Sequence, residues 1–192
     1  MKTNTISLMT GLALAGIAAV TSTSAAASGP RIEAHGGWDR LNGADGRDSG
    51  VLYGIGLGYD FDIAKNVFAG VEANADFSTA KECESGAIVA GDELCVKASR
   101  DLSLIARAGV EVAPGSKLYA LGGWTNARVR ATYTAPDGEV TREGQNLDGW
   151  RVGAGFQQAI GQGLHAKLEY RYSDYGDDDT RHQVVAGFGL TF

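Results

Sequence analysis

From residue 51 to residue 192 the chain repeatedly alternates apolar positions with polar or glycine positions at a period of two. In 51–61, Val51, Tyr53, Ile55, Leu57, Tyr59 and Phe61 share one face, and Leu52, Gly54, Gly56, Gly58 and Asp60 the other. Strict alternation over eleven residues is the signature of a half-buried strand and does not fit a helix. The pattern returns at 67–77, where Val67, Ala69, Val71, Ala73, Ala75 and Phe77 oppose Phe68, Gly70, Glu72, Asn74 and Asp76. It returns again at 101–111, 148–158, 164–173 and 182–192. Residues 118–133 read less cleanly, with Tyr119, Leu121, Thr125, Val129 and Tyr133 set against Trp124, Asn126, Arg128 and Arg130. A weaker first strand at 31–38 completes a predicted set of eight.

The connections alternate in length. Tight links fall at 62–66, 113–116 and 160–163, and longer polar stretches at 39–49, 78–97, 134–147 and 174–180. In an up-and-down meander this places every short turn at one end and every long loop at the other, as in transmembrane barrels. Strands of ten or eleven residues also match the ~9–11 that cross a bilayer at a tilt. The charges orient the two faces. Glu72, Asp101, Arg107, Glu111, Arg151, Lys167, Glu169 and Arg171 all fall on the polar face, mixed in sign and interleaved with glycine. The apolar face is uninterrupted and carries aromatics near strand ends: Tyr53, Tyr59, Phe61, Phe77, Trp150, Tyr170, Tyr172 and Phe192. The expectation is an all-β, eight-stranded antiparallel up-and-down transmembrane β-barrel, with an aromatic-flanked lipid belt outside and a charge network inside. Glycines suit a narrow lumen, because long side chains there need small neighbours. Unpaired lumen charges would be costly, so salt bridges are expected across the interior, plugging it instead of leaving a wide pore.

The N-terminal segment has a different character. Lys2 precedes an uncharged run at 6–20, and the small residues that follow include Ala25-Ala26-Ala27. This is the layout of a secretory signal peptide cleaved after Ala27, leaving 28–192 as the barrel domain. The run is too short for the ~20 residues of a spanning helix. The chain holds 17 basic and 23 acidic residues, a net charge of −6. That balance argues against nucleic acid as a partner. Cys83 and Cys95 form an even pair in a chain read as exported, which points to a disulfide within the 78–97 loop. Metal binding is the alternative, but no His or further Cys lies near them in sequence.

The ending Val184-x-Ala186-x-Phe188-x-Leu190-x-Phe192 resembles the C-terminal signal of bacterial outer-membrane barrels. The resemblance implies that Phe188, Leu190 and Phe192 engage the outer-membrane assembly machinery. Residues 168–176, Leu-Glu-Tyr-Arg-Tyr-Ser-Asp-Tyr-Gly, are similar to the penultimate strand of the opacity-type small barrels, relatives of the barrel of outer membrane protein A. The Cys-flanked loop followed by Arg100-Asp101-Leu102 also looks like that group. The layout fits over essentially the whole mature chain, while the specific residues lie mainly in the last 25. A periplasmic peptidoglycan-binding domain is not expected, since the sequence ends at Phe192.

Candidate chemistry is sparse. His35, His165 and His182 fall on three different strands, no Gly-x-Ser-x-Gly is present, and no serine follows a histidine closely. Hydrogen-bonded lumen or rim histidines are expected, and no enzyme. Gly54-x-Gly56-x-Gly58 is not followed by a helix, so it is strand and not a nucleotide loop. Asp177-Asp178-Asp179 and the set Asp39, Asp45, Asp48 lack calcium-loop spacing and read as solvated loop carboxylates. No cofactor is expected. The partners are outer-membrane lipid and lipopolysaccharide, the assembly machinery, and a surface or host ligand met by the loops. The expected function is that of a structural or surface barrel of the outer membrane serving adhesion or envelope integrity. A narrow porin is the alternative, and a soluble lipocalin-like carrier the third reading.

Overall fold

The computed structural model describes residues 28–43, 46–86, 88–176 and 179–192. The expected signal peptide, Asp45, Asp177 and Asp178 lie outside the described residues. The strands are β1 (Gly29–Gly43), β2 (Gly46–Ala64), β3 (Val67–Ser78), β4 (Lys81–Ser85), β5 (Glu93–Ala113), β6 (Ser116–Thr134), β7 (Val140–Ala159), β8 (Leu164–Asp174) and β9 (Thr180–Thr191). All pairings are antiparallel between neighbours, β9 returns to pair with β1, and β3 pairs with β5. The result is a closed ring of eight, with the short β4 outside it as an added strand on the end of β5. Closure removes the sheet edges within the ring, which a bilayer demands because it offers no water to a free N–H or C=O.

The short turns show why the chain reverses where it does. Asn66, Gly115 and Gly163 each adopt a left-handed φ (61°, 74° and 71°), one per tight link, and all three links fall at the same end. At the other end the connections differ from the sequence expectation. Much of 39–49, 78–97 and 134–147 is not irregular loop but strand continued past the ring. β1 and β2 stay in register to Gly43↔Gly46, and β6 and β7 to Thr134↔Val140 without a register shift. Polar side chains on both faces concealed these extensions, since alternation is readable only where one face is apolar. The outcome is a ribbon of β4, β5, β6 and β7 standing above the ring opposite the β1–β2 hairpin.

The two faces are inverted relative to a water-soluble barrel. Leu57, Leu104, Leu168 and Phe188 are 55–63 % exposed on the outside, whereas Arg151, Arg171, Glu169 and Asp101 are 1 % exposed within. Aromatics cluster outward toward strand ends, with Tyr53 against Phe77 (5.8 Å between centroids) and Trp150 against Tyr172 (5.5 Å). This is the aromatic girdle of a lipid-facing surface.

One strand corrects the sequence reading. In β6 the side chains of Tyr119, Leu121 and Thr125 are buried in the lumen, and Leu118 and Trp124 face outward. The expected phase was the opposite for the first three, because two apolar residues there imitate a lipid face. Their hydrophobicity is used inside, where Phe68, Ile105, Tyr119 and Leu121 form one cluster.

Candidate functional site: the charged lumen

Lumen-facing charges come from every strand of the ring, because period-two alternation sends every second residue inward. Among the described residues, seven lumen carboxylates (Glu33, Asp39, Asp60, Glu72, Asp76, Asp101, Glu169) meet seven cations (Arg31, Arg107, Lys117, Arg151, Lys167, Arg171, Arg181), all buried. Signs and numbers match, which is the condition for holding so many charges out of water.

The network runs in three tiers from the short-turn end to the long-ribbon end. At the bottom, Asp60 receives Nε of Arg107 (2.9 Å) and a second bond from its Nη2, with Arg31 and Lys117 at 3.4 and 3.7 Å. The Arg107 guanidinium also lies over Tyr119 (4.9 Å) and Phe68 (5.4 Å), so the apolar cluster and the first ion pair sit together at this end. In the middle, Glu33 accepts from Arg31 (2.7 Å), from Lys167, and meets His165 Nε2 at 3.0 Å. Arg31 also donates to Glu72 (2.6 Å), Tyr119 Oη donates to Glu169 (2.7 Å), and Arg171 grips Glu169 through Nε and Nη2. At the top, Asp76 takes Arg171 (3.1 Å) and His35 Nε2 (2.6 Å), and Asp101 takes Arg151 (2.5 Å) and Arg181 (2.7 Å). Arg181 in turn grips Asp39 through both Nε and Nη2. Tyr175, in the β8–β9 connection, donates to Asp101 (3.0 Å); burial pushes its phenol up and the Asp101 carboxylate adds to the shift.

Glycine makes the middle tier possible. A Cβ on Gly58 would lie 2.6 Å from the Arg31 guanidinium, and one on Gly155 2.6 Å from the Tyr119 ring. Both positions are lumen-facing neighbours of a long side chain, and any larger residue would push that side chain off its partner.

Of the residues singled out from sequence, the structure brings together Glu72, Asp101, Arg107, Arg151, Lys167, Glu169 and Arg171. Glu111 stands apart from them. A bulge between Glu111 and Ala113 ends the ladder there, and the Glu111 carboxylate accepts from the backbone N–H of Gly115 (2.7 Å) in the turn. Asp39 corrects the reading of a solvated loop acid, since it is fully buried and shared by Arg181, Ser78 and Gln183. Asp48 instead accepts from its neighbour's N–H in Ser49, and Asp179 sits in the β8–β9 turn. Sequence reasoning left Arg31, Glu33, Asp39, Asp60, Asp76, Lys117 and Arg181 out of the network, although Asp60 and Asp76 already lay on polar faces. The signal was present in β1, where Arg31, Glu33 and His35 alternate with Ile32 and Ala34. The histidines are held: His35 by Asp76, His165 by Glu33, and the half-buried His182 by Tyr170 Oη (2.7 Å).

Above the top tier a mouth cavity of about 800 Å³ opens between the ribbon and the β1–β2 hairpin, with Arg181 and Tyr175 in its lining. The ribbon is cross-linked by a disulfide, Cys83–Cys95, between directly paired residues of β4 and β5. Closing a loop of this size is worth ~3 kcal/mol in the chain-entropy model. Because it lies outside the ring, the double substitution Cys83→Ser/Cys95→Ser is expected to leave the boiling-dependent gel mobility unchanged. Protease cleavage within 78–97 should rise at least several-fold, read by mass mapping of the fragments.

Comparison with known proteins agrees with this geometry. Residues 10–192 match the family described as the outer membrane protein beta-barrel domain. The 25 kDa outer-membrane immunogenic protein of Brucella ovis is 29 % identical over 139 residues, which is 72 % of this chain and 62 % of that relative. The chain thus spans less than two thirds of that protein's length. Ail, the attachment invasion locus protein of Yersinia pestis, solved with the heparin analogue sucrose octasulfate, superposes with a TM-score of 0.59 at 15 % identity, covering 86 % of this chain and 99 % of Ail. Neisserial surface protein A superposes with a TM-score of 0.59 at 16 % identity, covering 86 % and 98 %. At these identities the two structures show a shared fold.

Proposed function

Because the chain belongs to the outer membrane protein β-barrel family, we propose that it is a structural and surface barrel whose lumen is closed and whose ribbons carry its interactions. The observation that carries this reading is the matched set of seven buried carboxylates and seven buried cations filling the ring. A pathway for solutes would need to displace several of these pairs, and each loses several kcal/mol when one partner goes. On this reading residues 1–27 direct export, and Phe188 and Leu190, outward on β9, with the exposed Phe192 just after it, are read by the assembly machinery. The ribbons and the mouth cavity are then the parts offered to the outside, for adhesion or for contacts that hold the envelope together. No enzymatic step is assigned to the histidines, whose Nε2 or Nδ1 atoms are engaged as described.

A narrow porin is the second reading. It is favoured by five buried lumen atoms with no hydrogen-bond partner among the described residues, Arg31 Nε, His35 Nδ1, Asn74 Oδ1, Arg107 Nη1 and Gln183 Oε1, which suit bound water. Deletion of the protein from its host separates the two. The structural reading expects greater sensitivity to detergents and more vesicle shedding, with small-solute uptake unchanged. A selective uptake defect with an intact detergent barrier would favour the porin.

A further inference from the structure

Cations in the lumen are paired, but those on the outer face of the ribbon are not. Register places them in consecutive rows. Arg100 lies directly opposite Arg128, and Lys81, Lys97 and Arg130 form one row across β4, β5 and β6. The next row ends in Arg142 on β7, opposite Thr132. Like charges directly across a ladder repel. None of these six side chains makes a salt bridge among the described residues, and Arg100 Nε is buried without a partner. All but the half-buried Arg100 are exposed, and Arg100 and Arg128 also border the mouth cavity. Among the described residues of β4 to β7, two carboxylates share this face: Asp148, held by Asn126 (2.9 Å), and Glu93 at the far end. The remainder is a basic surface on a chain whose overall charge is −6.

Its position is fixed by the membrane. The β6–β7 ladder has no register shift, so Arg128 and Arg130 continue the outward face of Trp124, and Arg142 that of Trp150. The two indoles are paired and about half exposed, marking the girdle. Arg128 stands four residues and Arg130 six residues beyond Trp124. At about 3.4 Å per residue and a tilt near 40°, the rows lie roughly 10 and 15 Å above the girdle. A phospholipid headgroup layer is only about 5–7 Å thick on each side, so its phosphates fall short of the upper row.

We propose that this face binds the phosphorylated sugar headgroups of the lipopolysaccharide that surrounds the barrel. The inference rests on the outer-membrane reading and names the site through which the ribbon is held down on the leaflet. Phosphate supplies the missing partners, neutralises the cross-strand repulsion, and gives arginine its preferred bidentate acceptor. Surface lysine or arginine contributes about 1 kcal/mol each toward an anionic leaflet, so three lost together weaken binding on the order of 100-fold.

The test uses the full mature chain folded in detergent, titrated with lipopolysaccharide, with the same material after removal of its phosphates, and with phosphatidylglycerol. The variant is Lys97→Gln/Arg128→Gln/Arg130→Gln. These are exposed positions, and folding is checked by the boiling-dependent gel shift. The expected result is tight binding of phosphorylated lipopolysaccharide by the parent chain. Binding should fall on the order of 100-fold in the variant, with a comparable loss when the phosphates are removed, and phosphatidylglycerol should bind weakly. Variant binding within twofold of the parent, indifference to the phosphates, or equal binding of phosphatidylglycerol each overturns the proposal. A parent chain that gives no gel shift overturns the membrane barrel along with it, whereas a heat-modifiable barrel that ignores phosphate overturns the site alone.

Discussion

Replacing Glu33 by glutamine is expected to destabilise the folded barrel by about 3–5 kcal/mol, the range seen when one partner of a buried ion pair is removed. Glu33 is 2 % exposed and holds Arg31, Lys167 and His165 at once. Its neutral amide keeps the shape but leaves seven lumen cations on six carboxylates. Urea unfolding followed by the gel mobility of unheated protein measures the loss. The double variant Glu33→Gln/Lys167→Met is expected to recover more than half of it, because the balance of sign is restored and the methionine fills the lysine stem's volume. Non-additivity of this kind identifies a network and not a set of separate contacts. A cost below 1 kcal/mol for Glu33→Gln would mean that water reaches the lumen freely and solvates the orphaned cations.

The second large effect belongs to the outer face. Leu168→Arg places a charge at the middle of β8, on a side chain 55 % exposed between Phe156 and Ala186 of the flanking strands. In water such a surface substitution changes stability by no more than about 0.5 kcal/mol. At the midplane of a bilayer an arginine on the lipid face costs about 2–4 kcal/mol. The expected result is therefore a loss of at least 2 kcal/mol in lipid vesicles, measured by the same unfolding assay. Unchanged stability in vesicles would place Leu168 in contact with water.

The fold was legible where one face is apolar. The clean alternation at 51–61, 164–173 and 182–192 identifies β2, β8 and β9, and the alternation of tight and long links supplies the up-and-down order. Legibility failed in two places for one physical reason: periodicity reports a contrast between faces and not which face is wet. In β6, Tyr119 and Leu121 are apolar but face the lumen, so the strand was recognised and its phase reversed. In the ribbons both faces are polar, so β4 and the outer ends of β1, β2, β5 and β7 read as loop.

Half of the lumen network could be named from charges on well-marked strands. Arg31 and Glu33 lay on a strand whose outward positions are weakly apolar, and Asp39 and Arg181 lay beyond the expected strand ends. Lys117 adjoins a tight turn, where a lysine reads as ordinary surface. That Asp39 and Arg181 belong inside follows only from closure, since the β1–β9 pairing sets Asp39 beside Gln183 and brings Arg181 within reach of it. The unpaired outer cations were hidden in the same way: Lys97 and Arg130 are 33 positions apart in sequence and become neighbours only through the β5–β6 ladder.

The closed lumen is the claim on which the functional reading turns, and single-channel recording in a planar lipid bilayer tests it most directly. Purified protein whose folded state is confirmed by the boiling-dependent gel shift would be added at increasing concentration under an applied potential. A charge-plugged ring predicts a quiet baseline, with no stable conductance steps. Reproducible, long-lived steps that scale with inserted protein would contradict it, and would show that the salt-bridged tiers leave an open path for ions.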